Sequence, residues 1–259
     1  MDSIAVGVRE FHTFLLALAR VSGVVAVAPL LGNRAVPATA KAGFALLLAI
    51  ALTPLALPHA APLPGHLWQL VGQLTTDLIF GLALGYLARL LFAAVEMAGY
   101  LIDTQMGFGF INLLDPFSEQ QSSVLGAFQL QLATTLYLLM NGHLLLIGAI
   151  AESFTAIPPG SFTPRPAFSM AILPLLTTTF GLAMRLALPA CGVLFIMDVA
   201  FGLIARLVPQ INVFIVGIPA KILIGLVTVT LLLPVMAIAV GQLVAGAQGG
   251  LSVLIESSR

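Results

Sequence analysis

Apolar runs bounded by proline, glycine or charge mark six segments, at about residues 11–29, 41–57, 67–103, 124–151, 168–208 and 213–246. Their length and lack of strict alternation predict an all-α fold: long, bent hydrophobic helices forming helical hairpins, with about six transmembrane-like segments in one domain over residues 1–259. Two segments are too long for one crossing. At 1.5 Å per residue, 67–103 extends about 55 Å and 168–208 about 60 Å, against a hydrocarbon core of about 30 Å. Either they break or they leave the bilayer. Pro189, beside Ala190-Cys191-Gly192, is the expected break or sharp kink in the second. The first has no proline, and its Gly81 and Gly85 form a small-xxx-small pair that lets another helix approach.

One apolar stretch does not fit the helical pattern. Residues Asp103-Thr104-Gln105-Met106-Gly107-Phe108-Gly109-Phe110-Ile111-Asn112-Leu113-Leu114-Asp115-Pro116 hold two glycines, each costing about 1 kcal/mol inside a helix, and end on a proline that blocks continuation. The stretch reads as a Gly/Phe-rich internal loop. Its apolar side chains should not face water, and its unpaired backbone should not face lipid. Irregular backbone at membrane depth is tolerated where protein buries it or where it lines a cavity, so this loop is the first candidate functional element.

Composition places the whole chain in a membrane: 60% of 259 residues are hydrophobic and 8% charged, with a mean hydropathy of +1.11, whereas soluble domains carry roughly a quarter charged residues. The net charge is +0 with no Lys/Arg run, which removes the electrostatic basis for nucleic-acid binding. The single Cys191 has no disulfide partner and is expected to pack. Ala26-Val27-Ala28 looks like a signal-peptidase site, but Arg20 interrupts the apolar region and Pro29 follows the cut, so an uncleaved membrane segment is the better reading. Counting loop charges leaves orientation open, with Arg34, Lys41, Arg206 and Lys221 on one side against Arg9, Arg165 and Arg259 on the other. A weak internal echo links residues 37–54 with 219–234: each has a proline, a lysine shortly after it, and a second proline thirteen residues beyond the lysine.

Charges inside apolar segments need partners. Arg89, Glu96 and Asp103 recur every seven residues and stay within about 40° of one another around a helix. Each would cost about 2.5–3.5 kcal/mol at a bilayer centre, so this stripe should not face lipid. It reads as a polar inter-helix or inter-subunit seam, or else as a hydrated, proton-responsive path. Asp198 and Arg206 are candidates for a second seam, Arg20 for intersegment pairing, and Asp77 and Glu152 for interfacial positions. No catalytic constellation emerges: His12, His59, His66 and His143 lack metal-site spacing, Ser118, Ser122 and Ser123 lack a nucleophile elbow, and no cofactor fingerprint surrounds Gly107 and Gly109. The expectation is a non-enzyme without cofactor or metal.

Several motifs together carry a resemblance. They are Ala19-Arg20-Val21-Ser22-Gly23, Pro29-Leu30-Leu31-Gly32, Val36-Pro37 with Lys41, and Ala98-Gly99 through Phe108, followed by Leu114-Asp115-Pro116. Next come Asn141-Gly142-His143, Ser153-Phe154 and Pro158-Pro159-Gly160, then Ala205-Arg206-Leu207-Val208-Pro209-Gln210-Ile211-Asn212 and Gly217-Ile218-Pro219-Ala220-Lys221. In this order, over almost the whole chain, they resemble the FliR family of flagellar biosynthesis proteins and its virulence-type counterparts, with the flagellar branch the nearer. The resemblance implies a subunit of the type III export gate in the bacterial inner membrane, at the flagellar basal body. It implies FliP and FliQ, other export-apparatus proteins, unfolded flagellar export substrates and membrane lipid as partners. Much of such an assembly is lifted out of the bilayer plane, which accounts for overlong helices and an indecisive charge count.

On that resemblance, residues 106–117 are the expected pore plug, with Met106, Gly107, Phe108, Gly109, Phe110, Ile111, Leu113, Leu114 and Phe117 as its residues. The alternative of another class is a self-contained secondary transporter or channel whose discontinuous helix at 103–116 forms a substrate site.

Overall fold

The computed structural model describes residues 2–33, 35–108, 123–163, 166–210 and 212–257. Among these the architecture is helical: α1 (Asp2–Val27), α2 (Ala38–Ala56) with a short 3-10 turn at Leu57–His59, α3 (Leu67–Met106), α4 (Val124–Leu139), α5 (Gly142–Ala156), α6 (Pro166–Leu207) and α7 (Val213–Ser257). Five helices are long and apolar enough to cross a membrane, or six when α4 and α5 count as one broken span.

Three helix boundaries depart from the sequence pattern. The expected single segment at 124–151 is two helices, broken at Asn141, which adopts the left-handed conformation (φ 58°, ψ 27°). Asparagine tolerates that region better than other side chains, and its carbonyl then accepts the amides of Leu144 and Leu145. The expected break at Pro189 is absent: α6 runs for 42 residues through it. One proline removes a single backbone bond, a loss that neighbouring helices make tolerable in apolar spans, and Leu, Ala and Met around it favour continuation. The third segment likewise does not break. α3 runs unbroken for 40 residues, about 60 Å and twice a hydrocarbon core.

The chain divides into two compact units. The first comprises residues 1–90, 140–176 and 244–259, and the second residues 91–139 and 177–243. In the first, α1 buries Ala17, Val21, Val24 and Val25, a helical-period stripe that Ala28 just past its end continues, against Ala45 and Ala49 of α2, Phe80 and Leu84 of α3, and Ile150 and Phe154 of α5. The Gly81/Gly85 pair admits α1. A methyl group on Gly85 would lie 2.7 Å from the Val24 carbonyl oxygen, one on Gly23 would lie 2.6 Å from that of Leu78, and one on Gly81 would overlap the Arg20 carbonyl. The two backbones touch. Because a carbonyl held in a helix cannot move aside, Gly81→Leu is expected to destabilise the protein by about 3 kcal/mol or more, read as a lowered thermal midpoint in detergent.

The second unit packs Ala98, Ile102 and Met106 of α3 with Leu125 of α4, Ala187, Ala190 and Leu194 of α6, and Val229 of α7. The internal echo extends to burial. Ala45, Ala49 and Ala56 are buried in α2, and Gly225, Val229 and Met236 are buried in α7, at matching distances beyond Lys41 and Lys221. Each helix thus offers the same register of positions to the core of its own unit.

Candidate functional site

The candidate loop begins later than the sequence places it. α3 continues through Asp103, Thr104, Gln105 and Met106, because none of these four breaks a helix, and it stops at Gly107. Gly107 takes φ 93°, a conformation costly for any side chain. Its amide donates to the Thr104 carbonyl at 3.3 Å, and the Phe108 amide donates to the Asp103 carbonyl at 3.3 Å. These are the two bonds of a Schellman cap, which satisfies the last helical carbonyls and turns the chain away from the helix axis. Met106 is fully buried and Phe108 packs half-buried on the same core. Gly109, Phe110, Ile111, Leu113, Leu114 and Phe117 lie outside the described residues.

The far end of the loop is capped as firmly. Ser123, which the sequence offers only as a hydroxyl without a catalytic setting, accepts the Gly126 amide through Oγ at 2.8 Å and so caps α4. Gly126 in turn meets α3: a methyl group on Gly99 would lie 2.5 Å from the Gly126 Cα. The helices on either side of residues 109–122 therefore touch backbone to backbone.

The predicted seam residues separate into different environments. Arg89 and Glu96 are exposed, whereas Asp103 is buried and its Oδ1 has no hydrogen-bond partner among the described groups. No ion pair joins the three among the described residues. Asp198 pairs with Lys221 of α7 rather than with Arg206, which is exposed near the end of α6. Lys221 is the lysine of the internal echo.

Asp77 is the clearest correction. Expected at an interface with solvent, it is wholly buried and paired with Arg20, also wholly buried. Arg20 Nε donates to Asp77 Oδ1 at 2.8 Å, and Nη1 donates to the carbonyls of Ser153 and Ile157, each at 2.9 Å. The Gly160 amide donates to Asp77 Oδ2 at 2.7 Å. Phe80 and Phe154 stack on the guanidinium with centroids 4.9 and 4.8 Å away. α1, α3, α5 and the 157–160 turn are thus joined at one point. The sequence signal was Arg20 itself, since a cation inside an apolar helix demands an acid; nothing in the spacing identified which acid.

Comparison with known proteins matches residues 11–247 to the family described as bacterial export proteins, family 1. The chain is 35% identical to the flagellar biosynthetic protein FliR of Bacillus subtilis over 234 residues, covering 89% of each chain. It is 34% identical to the FliR of Escherichia coli, covering 87% of this chain and 86% of the relative. It is 30% identical to the Yop proteins translocation protein T of Yersinia pestis, covering 60% of this chain and 59% of that one.

Proposed function

The chain belongs to family 1 of the bacterial export proteins, and we propose that within this family it acts as a non-catalytic subunit of the flagellar type III export gate. It is a membrane protein of a type III export apparatus. The observation that carries the flagellar reading is the extent of the match to the FliR of Bacillus subtilis and of Escherichia coli, which align over 89% and 86% of their length, while the virulence-type translocation protein aligns over 59%. In this reading it sits in the inner membrane at the flagellar basal body and helps form the channel through which unfolded flagellar proteins pass. Deleting its gene in its own host should abolish flagellar subunits in the medium while leaving their synthesis intact. Normal secretion from such a strain would overturn the proposal.

FliP and FliQ are the proposed neighbours. Support comes from charges left uncovered on apolar helices, since Arg89 and Glu96 are exposed on α3 with no ion pair among the described residues. At bilayer depth such charges need a protein surface. Glu96→Lys is expected to reduce recovery of FliP and FliQ with the chain by roughly tenfold, because like-charge contacts across an interface are costly. A compensating charge on the partner should restore it. Undiminished co-purification would place Glu96 outside the interface.

The loop over residues 106–117 is the proposed pore plug. The reading is supported by the loop's many apolar side chains, by the close contact of α3 with α4 on either side of it, and by the positive-φ Gly107 at the end of α3. A seal made of a few apolar contacts excludes water yet yields to a passing chain at modest cost.

A further inference from the structure

Arg185 lies well inside the apolar span Leu173–Leu207 of α6, is exposed, and has no ion pair among the described residues. Exposed apolar side chains continue on both sides of it along the helix, Leu176 and Phe180 before it and Leu188 and Phe195 after it. A bare cation in such a surface is costly in lipid. A headgroup layer at its level would leave one of the two apolar stretches in water, so its counter-charge has to come from protein. Beside it the second unit opens into a cavity of about 30 Å³, lined by Arg185 with Ile102 of α3, Gln129 of α4, Pro189 of α6, and Val229 and Met236 of α7 among others. Gln129 is only 6% exposed, and its side-chain amide makes no hydrogen bond among the described residues. A guanidinium and a buried amide thus meet at one cavity, and none of its lining residues is acidic.

We propose that this cavity seats a carboxylate carried on an apolar helix of a neighbouring subunit, with Arg185 as its counter-charge and the Gln129 amide as a second donor. The proposal rests on the reading of the chain as a gate subunit and adds the chemistry of a contact on α6, separate from Arg89 and Glu96 on α3. The volume selects the group. Room for about two waters suits the two oxygens of a carboxylate and is too small for a lipid phosphodiester with its ester chains. The surroundings select the carrier, because Leu176, Phe180, Leu188 and Phe195 offer an apolar helix a surface above and below the charge. Arginine receives a carboxylate through two parallel N–H donors, and the amide of Gln129 adds neutral ones. With water excluded by the apolar flanks, a like charge at 185 is expected to weaken docking by roughly tenfold or more.

The test uses the intact export apparatus in membranes of the chain's own host. Arg185→Lys, Arg185→Gln and Arg185→Glu are compared for the level of the chain in the membrane and for the subunits recovered with it. The proposal expects recovery of one neighbour to fall in that order, by roughly tenfold or more with Arg185→Glu, at an unchanged level of the chain. Exchanging one acidic residue in an apolar helix of that neighbour for arginine should restore recovery with Arg185→Glu. Cysteines at that position and at Arg185, with Cys191→Ala as background, should be joined by a short bismaleimide; this arm and Arg185→Gln decide the matter if Arg185→Glu fails to accumulate. Undiminished recovery with Arg185→Gln and Arg185→Glu would overturn the seat while leaving the gate reading intact. Restoration by no acidic residue, or loss of recovery on removal of anionic lipid in place of any exchange effect, would also overturn it. An unaltered chain that travels with no other subunit would remove the gate reading, and this inference with it.

Discussion

Arg20→Ala is expected to destabilise the protein by about 3–5 kcal/mol, the usual cost of breaking a buried ion pair by removing one partner. The guanidinium binds Asp77 together with the carbonyls of Ser153 and Ile157 and lies between Phe80 and Phe154. Alanine would leave an uncompensated carboxylate, two carbonyls without this donor and a void between two rings. In a membrane protein that loss reads as a fall in steady-state level and an early thermal transition in detergent. Asp77→Asn should be milder, because its remaining carbonyl can accept from Arg20 or Gly160. Arg20→Lys should not rescue fully, since an ammonium cannot reproduce the planar fork and aromatic stacking. The swap Arg20→Asp with Asp77→Arg should fail as badly as alanine: the Ser153 and Ile157 carbonyls would then face an acceptor. Rescue by the swap would show that charge balance alone matters and that the directed hydrogen bonds do not.

Deleting residues 107–111 should raise passage of small solutes through the assembled apparatus by roughly an order of magnitude or more, because an apolar constriction holds back water and ions only while its side chains fill the lumen. The contact of α3 with α4 argues against a trivial explanation. Gly99 on Gly126 holds α3 to α4, and Ser123 caps α4 independently of the loop, so a shorter loop should leave the helices in place. Secretion of flagellar subunits should persist or rise while the leak appears. Loss of the chain from the apparatus would point to a structural role for the loop, and an unchanged leak would refute the plug.

Much of this architecture was legible because apolar runs are a direct readout of burial. Five of the six segments correspond to single helices and the fourth to the pair α4 and α5, while α3 runs three residues past the expected start of the loop at Asp103, to the positive-φ Gly107. What local pattern could not give were outcomes decided by partners distant in sequence. The helix continues through Pro189, whose neighbours favour helix, whereas Asn141, an ordinary polar residue in an apolar run, breaks one by entering left-handed space. Asp77 looked like an interfacial acid until folding set it against Arg20. Arg89 and Glu96, expected in an inter-helix or inter-subunit seam, are exposed, so no contact within the described residues accounts for them and the proposed subunit contact is what remains.

Isolation of the chain from its own host's membranes in mild detergent, with identification of the proteins that travel with it, tests the gate assignment most directly. The account predicts a defined complex containing FliP-type and FliQ-type subunits, with no stable state for the chain alone. A stable monomer or small symmetric oligomer that takes up a small solute in vesicles without either partner would contradict it.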